Sequence, residues 1–278
     1  MEVKKIKDTN EEYHASEAVS RSKLFRMIKN GQVCPQNYHY LEENPPEQTG
    51  ALLFGRAFHK AVLEPETFAD EFVVAPSCDR RTKEGKATWE KFVSEAANKD
   101  VLTAEEHEHI LGMVESINRH TIARKLLRGE IETSYYWMDE LTGIQCRCRP
   151  DARRTIGGVP HIIDLKSTQD ASTEHFSKDA IKFGYDLQTA MYKKGVDAFY
   201  GAEHRFIFIP VEKTPPYTVN VMLVDDLFIK KGNALFRELL GELKYCMETG
   251  DWYGYSGPKE LGGINDLTLP AYLLKEFE

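Results

Sequence analysis

The stretch CRCRPDARRTIGGVPHIIDLKST, residues 146–168, constrains the fold more than any other part of the chain. Strand-like runs flank Gly157 and Gly158, and a two-residue turn between antiparallel strands needs residues that accept positive φ. Counted outward from that turn, Asp151 falls directly opposite Asp164. Like charges facing each other across a ladder are destabilising, and two close carboxylates do not both ionise cheaply unless a cation lies between them. Alternation along the strand puts Lys166 on the Asp164 face and turns Leu165 into the opposite layer. The same parity puts Arg147, Arg149 and Arg153 on the Asp151 face. Two oxygen ligands for a hard cation, a lysine beside them and arginines for phosphate oxygens make a set suited to phosphodiester hydrolysis. A metal there would polarise the phosphoryl oxygen and acidify a bound water, which Lys166 would orient. The competing reading is a solvated strand edge with salt-bridged charges. An acid-x-lysine triplet recurs at 2–4, 84–86 and 242–244, so the weight rests on the strand context and the preceding Pro150-Asp151.

The rest of the chain supplies layers for this hairpin. A helix is expected from Arg21 to Asn30, capped by Ser20 and stopped by Gly31. ALLFGRAFHKAVLEP reads as a buried helix with His59 near its inner face, EFVVAP as a short strand, and residues 84–128 as helices covering the core. IETSYYWM, IQCRCRPDARR and VPHIIDLKS form an antiparallel meander. Two helices, the strands HRFIFIPV and YTVNVMLV, and a long closing helix ended by Gly250 follow. The expected fold is α/β: a mixed central sheet with an antiparallel meander, flanked by helices, in one domain. Its helical N-terminal part covers about 1–128, the sheet core about 129–225, and the C-terminal helix and tail about 226–278.

Bulk properties narrow the partners. A formal net charge of -8 argues against a simple DNA coat, so nucleic-acid binding would need a local positive groove. Five scattered cysteines without a C-x-x-C pair fit reduced thiols in a cytosol. No apolar run long enough to cross a membrane appears, and the first residues lack the apolar core of a signal peptide. The expected location is cytoplasmic, with no membrane partner.

RPD followed by IIDLK resembles the PD-(D/E)xK nuclease motif. GRAFHKAVLEP resembles the G-x-x-x-H helix of its RecE-like and RecB-like branches, and LQTAMY their Q-x-x-x-Y helix, with Gln188 and Tyr192. SRSKL near the start, and DWYGYSG followed by INDLTLPAYL at the end, resemble RecE-type phage exonucleases. The resemblance implies a restriction-endonuclease-like core and dependence on Mg²⁺, with Mn²⁺ as a substitute. It also implies degradation of linear double-stranded DNA from the 5′ end, in a ring-shaped homo-oligomer working with a RecT-like single-strand annealing recombinase in a bacterial cell. Carried over by motif, Asp151 and Asp164 become metal ligands, with Leu165 in the same metal set. Lys166 becomes the water-positioning, base-like group, and His59 a further ligand or water anchor. By itself, a lone histidine on an apolar helix fits a satisfied core residue equally well. Gln188 and Tyr192, four apart, share a helix face and reach toward one site, though a polar pair bridging helix to sheet would look the same. Ser20, Arg21 and Ser22 sit at a helix start, where backbone N–H groups favour anions, and are candidates for gripping the terminal phosphate; for Ser20, simple capping is an equal account. Glu132 could approach the metal as an extra acid, but reads better as a solvated strand end.

Several features are decoys. GALLFGRA mimics P-loop glycine spacing, yet Arg56-Ala57 stands where Lys-Ser/Thr is required. EEHEHI at 105–110 reads as a solvated helix face. CRISPR adaptation nucleases share the His, Asp, Asp, Lys and Gln-Tyr elements but bind an iron-sulfur cluster through four cysteines, and only Cys246 lies in the C-terminal region here. A non-catalytic DNA-binding module and an endonuclease remain the alternatives on this fold.

Overall fold

In the computed structural model, residues 1–96 and 98–269 are described. The chain opens with β1 (Val3–Ile6), α1 (Asn10–Ala15) and α2 (Arg21–Phe25). A small hairpin of β2 (Ile28–Lys29) and β3 (Gln32–Val33) leads to α3 (Pro35–Glu43) and α4 (Gly50–Leu63). Then come α5 (Phe68–Glu71), β4 (Phe72–Val74), α6 (Lys83–Ala96), β5 (Asp100–Leu102), α7 (Ala104–Arg119) and α8 (Thr121–Leu126). The sheet region holds β6 (Glu130–Ile131), β7 (Ser134–Met138), β8 (Gln145–Cys148), β9 (Ala152–Ile156) and β10 (Val159–Thr168). The chain continues through α9 (Thr173–Lys182), α10 (Tyr185–Tyr200), β11 (Arg205–Glu212), β12 (Met222–Leu223) and α11 (Asp226–Thr249). Residues 270–278, with the end of the INDLTLPAYL stretch, lie outside the described residues.

The central sheet has the order β12-β11-β10-β9-β6, with β10 and β11 parallel and the other pairs antiparallel, so it is mixed as expected. Gly157 and Gly158 take φ of 58° and 80°, the double positive turn that matches strand twist. Pairs from Val159↔Ile156 to Ile163↔Ala152 hold the expected register. Alternation along β10 and β11 sends Ile162, Phe206 and Phe208 into a core under α10 and α11, and Ile163, Leu165, Ile207 and Ile209 into another under α4 and α7. Gly232 lets α11 lie directly on α10, because a Cβ there would stand 2.0 Å from the Asp186 carbonyl oxygen.

Four expectations are corrected. The helix from Arg21 stops at Phe25, since Asn30 and Gly31 adopt φ of 52° and 77° and close a hairpin instead. The meander is split: β7 and β8 leave the central sheet and join β1 in a separate three-stranded sheet, with breaks at Glu132 and at Arg149–Asp151. YTVNVMLV contributes only β12 and an isolated bridge from Val219 to Val211. Within residues 84–128, α6 covers no core, because only Gly85 and Ala96 of its residues are buried.

Candidate metal centre

The site forms where β10 outruns β9. Past Ala152 the partner chain turns away, and the Asp151 carboxylate replaces it, accepting from the Leu165 N–H at 2.5 Å. In extended backbone the Leu165 carbonyl points to the same edge, while its side chain is fully buried in the α4 core. Any metal contact by Leu165 therefore falls to its carbonyl. Helix α4, started by Thr49, whose side chain accepts from the Leu52 N–H at 3.3 Å, brings His59 to the edge, with Nδ1 3.4 Å from Asp151 Oδ1.

His59, Glu132 and Asp151 each offer a ligand atom, and these atoms lie within 4.8 Å of one another. Glu132 is not a solvated strand end. It adopts φ of 45° at the kink where the chain switches sheets, its N–H donates to the Asp151 carbonyl at 3.1 Å, and its Oε2 is 3.0 Å from Arg149 Nε. Holding a β-capable residue at positive φ costs about 1 kcal/mol or more and turns its carboxylate toward the cluster. Local sequence carries little signal for this, because Glu132 resembles any acid at a strand terminus.

Asp164 follows the last ladder pair, Ile163↔Ala152, so it does not face Asp151 in the hairpin as expected, and its carboxylate turns toward α10. Oδ2 accepts from the Gln188 side-chain amide, and Oδ1 pairs with Lys166 Nζ. Among the described residues the Lys166 ammonium is the one partner of Oδ1. Lys166 Nζ also lies 4.7 Å from the centroid of the Tyr185 ring. Carboxylate oxygens, a backbone carbonyl and one imidazole fit a hard divalent cation.

Electrostatics divide the acids. Burial foremost, with the Asp151 charge adding, pushes Asp164 up to about 6 against the opposing Lys166. Burial also works to raise Asp151, yet His59, Lys166 and the Leu165 N–H outweigh it and hold this carboxyl below its usual range. Glu132 is pushed up to about 7 by burial and the Asp151 charge, with Arg149 and His59 opposing. For His59 and Lys166 burial favours the neutral form, but Asp151 on the first and Asp164 on the second outweigh it and raise both. Burial and partners thus leave both side chains favouring their protonated forms.

The arginines expected on one face are dispersed, because Arg147 to Arg153 do not form one strand. Arg147 is 2% exposed on β8, stacks on Tyr13 and donates to the Tyr13 and Ser16 carbonyls, so it braces the N-terminal segment and is closed to phosphate. Arg153 donates to His204 and covers the Tyr200 ring, away from the acids. Arg149 alone stays at the site, tied to Glu132 and to Asn10 Oδ1 at 2.6 Å. Ser20 caps α2 through the Lys23 N–H at 3.3 Å, and Ser22 is exposed. Arg21 donates to Gln188 Oε1 at 3.2 Å, which links it through that amide to Asp164. Tyr192 lies one turn beyond Gln188, packed against the α10 core, and burial raises its hydroxyl well above its ordinary value. In EEHEHI the glutamates at 105 and 108 are exposed, but His109 Nδ1 is 3.0 Å from the Tyr217 hydroxyl, so this face is only partly solvated.

Among the described residues, no helix is long and apolar enough to cross a membrane. A comparison with curated proteins finds no match. Among solved structures, the chain is similar to a "putative exonuclease" from Eubacterium rectale, with 17% identity, a TM-score of 0.60 and 98% of each chain covered. A second structure, SSO0001, is 14% identical with a TM-score of 0.32, covering 71% of this chain and 88% of its own, and bears no weight. The first likeness concerns the fold alone. Residues 19–261 match the family described as PDDEXK-like domain of unknown function (DUF3799), a span that holds every site residue above, and the chain belongs to that nuclease-fold family.

Proposed function

We propose that this chain is a divalent-metal-dependent exonuclease that hydrolyses phosphodiester bonds at the ends of linear double-stranded DNA. The observation that carries the reading is the convergence of His59, Glu132 and Asp151 beside the Asp164–Lys166 pair. A binding module gains nothing from clustered acids next to phosphates, since they repel the ligand.

A bound divalent cation, Mg²⁺ by this reading and Mn²⁺ as a substitute, would be held by His59, Glu132, Asp151 and Asp164, and would supply Lewis-acid polarisation and an acidified water. Lys166, charged and held by Asp164, donates toward the attacking oxygen and stabilises negative charge developing on the phosphoryl group. Gln188 fixes the Asp164 rotamer, so Lys166 keeps its aim. Arg21, on the far side of Gln188, is placed for a substrate phosphate, with Ser22 exposed beside it and Ser20 held in its cap. Arg149 shields Glu132 until a phosphate takes its guanidinium.

Incubation of the purified protein with Mg²⁺ and either linear or covalently closed circular duplex tests the reading. Digestion of the linear form alone is expected. Cutting of both forms would make it an endonuclease, and cutting of neither would overturn the reading. Duplexes labelled at the 5′ or the 3′ end test the 5′-to-3′ polarity that the RecE-type resemblance implies. Sizing by light scattering, and co-purification with a single-strand annealing recombinase, test the proposed ring oligomer, partner and recombination role in a bacterial cytoplasm.

A further inference from the structure

The α4 side of the central sheet holds a cation that the metal centre leaves unused. Lys213 follows β11, its N–H donates to the Thr168 carbonyl at 3.0 Å, and its Nζ lies 5.7 Å from the centroid of Phe54 on α4. Among the described residues, Lys213 has no carboxylate within ion-pair reach. This sets it apart from the other cations near α4: Arg56 pairs with Glu71 and Asp100, and Lys60 with Glu64 and Glu71. Its ammonium is half-buried, and that burial shifts the lysine toward its neutral form. A cation stripped of water and given no acid is unfavourable unless an anion arrives.

A hydroxyl lies against the same turn of α4 as the Lys213 ammonium. Ser167 projects from β10 toward Gly55, and a Cβ added at that glycine would still stand 4.0 Å from the Ser167 hydroxyl oxygen. Ser167 is half-buried, and among the described residues its hydroxyl makes no hydrogen bond. It directly follows Lys166 but points to the opposite face of the sheet, as alternation requires. Phe54 lies five residues before His59 on α4, about 7–8 Å along the helix axis.

We propose that Lys213, with the Ser167 hydroxyl, forms a second phosphate subsite on the α4 face, so that the bound strand crosses the end of β10 from Arg21 on the α10 face to Lys213 on the α4 face. Arg21, half-buried on the α10 face, likewise has no carboxylate partner among the described residues, and its one polar side-chain partner there is the neutral Gln188. A strand held on both sides of the cleavage point is positioned more tightly than one held at its terminus alone. The inference rests on the DNA-nuclease reading.

The test compares Lys213→Met and Lys213→Arg with the unaltered protein in binding duplex DNA over a range of salt, and in steady-state cleavage with Mg²⁺. Lys213→Met is expected to weaken binding about tenfold, as loss of one charge-assisted phosphate contact should. It should also flatten the slope of log K against log salt by about 0.9. KM should rise with kcat little changed, and Lys213→Arg should restore both slope and KM. A Lys213→Met protein that cleaves with the salt slope and KM of the unaltered protein overturns the subsite and leaves the nuclease reading standing. An unaltered protein that neither binds nor cuts duplex overturns that reading, and this inference with it.

Discussion

Two aspartates with the same burial show how differently this molecule treats a carboxylate. Asp139 and Asp164 are each 1% exposed. Asp139, at the end of β7, accepts two N–H groups of Arg237 at 3.1 and 2.7 Å, and Thr142 donates to it through its N–H at 3.1 Å and its hydroxyl at 2.9 Å. Burial alone would raise it, but Arg237 and Thr142 outweigh that and hold it below the usual carboxylate range. Asp164 has one amide on Oδ2 and the Lys166 ammonium on Oδ1, and burial raises it. Asp139 takes four donors from the fold. Asp164 takes two partners, and that smaller number marks the site more clearly than the acidity of either residue.

Substitutions should separate the two aspartates most widely in cleavage. Asp164→Ala and Lys166→Ala should each lower kcat by about a thousandfold or more, while Asp139→Asn keeps kcat per folded molecule. Retained cleavage in both site variants would remove the contrast. Next comes stability. Asp139→Ala strands the Arg237 guanidinium and should cost about 3 kcal/mol in urea unfolding, and Asp164→Asn, which leaves the Lys166 ammonium without its carboxylate, should also destabilise the metal-free protein. A smaller effect is ligand-linked: Mg²⁺ at about a hundred times its Kd should raise stability by about 2.7 kcal/mol, readable as a higher Tm, and Asp164→Asn should abolish that gain while Asp139→Asn keeps it.

The smallest effect is the slope with pH, and the two residues differ in sign. Asp164 is raised from an ordinary 3.8 to about 6, so between those values the native state holds a proton that the unfolded state has lost, and metal-free stability falls as pH rises through that window. Asp139 is lowered, so its contribution is full above the ordinary value and fades as pH falls below it. A tenfold difference in proton affinity between the folded and unfolded chain corresponds to about 1.4 kcal/mol. Urea titrations of Asp164→Asn without metal should lose the first slope and keep the second. An unchanged slope near pH 5 would mean that Asp164 titrates like an exposed acid.

Much of the core was legible in sequence because short-range rules govern it. The Gly-Gly turn set the hairpin register, which runs to Ile163↔Ala152 and stops one pair short of Asp151 and Asp164. Alternation sorted Leu165 from Lys166, and the four-residue spacing put Gln188 and Tyr192 on one helix face, of which only Gln188 bonds to Asp164. The Arg147, Arg149 and Arg153 set was misplaced by the same rule, since alternation holds only while the strand continues and this one breaks at Arg149–Asp151. Glu132 was undervalued for a related reason: the positive φ that aims it inward comes from the switch between sheets, not from its neighbours in sequence.

Turn, register, helix faces and the chemical types available to a metal and a phosphate were thus written locally in the chain. Which charges find partners was settled only when distant elements met. Arg147 is consumed by Tyr13 and Ser16 carbonyls, Asp139 by Arg237, Lys60 by Glu71 and Asp164 by Lys166 and Gln188, while among the described residues Lys213 is left without a carboxylate. Pairing depends on which elements come together and on how much water their meeting excludes, and neither is encoded within the few residues over which strand and helix periodicity act.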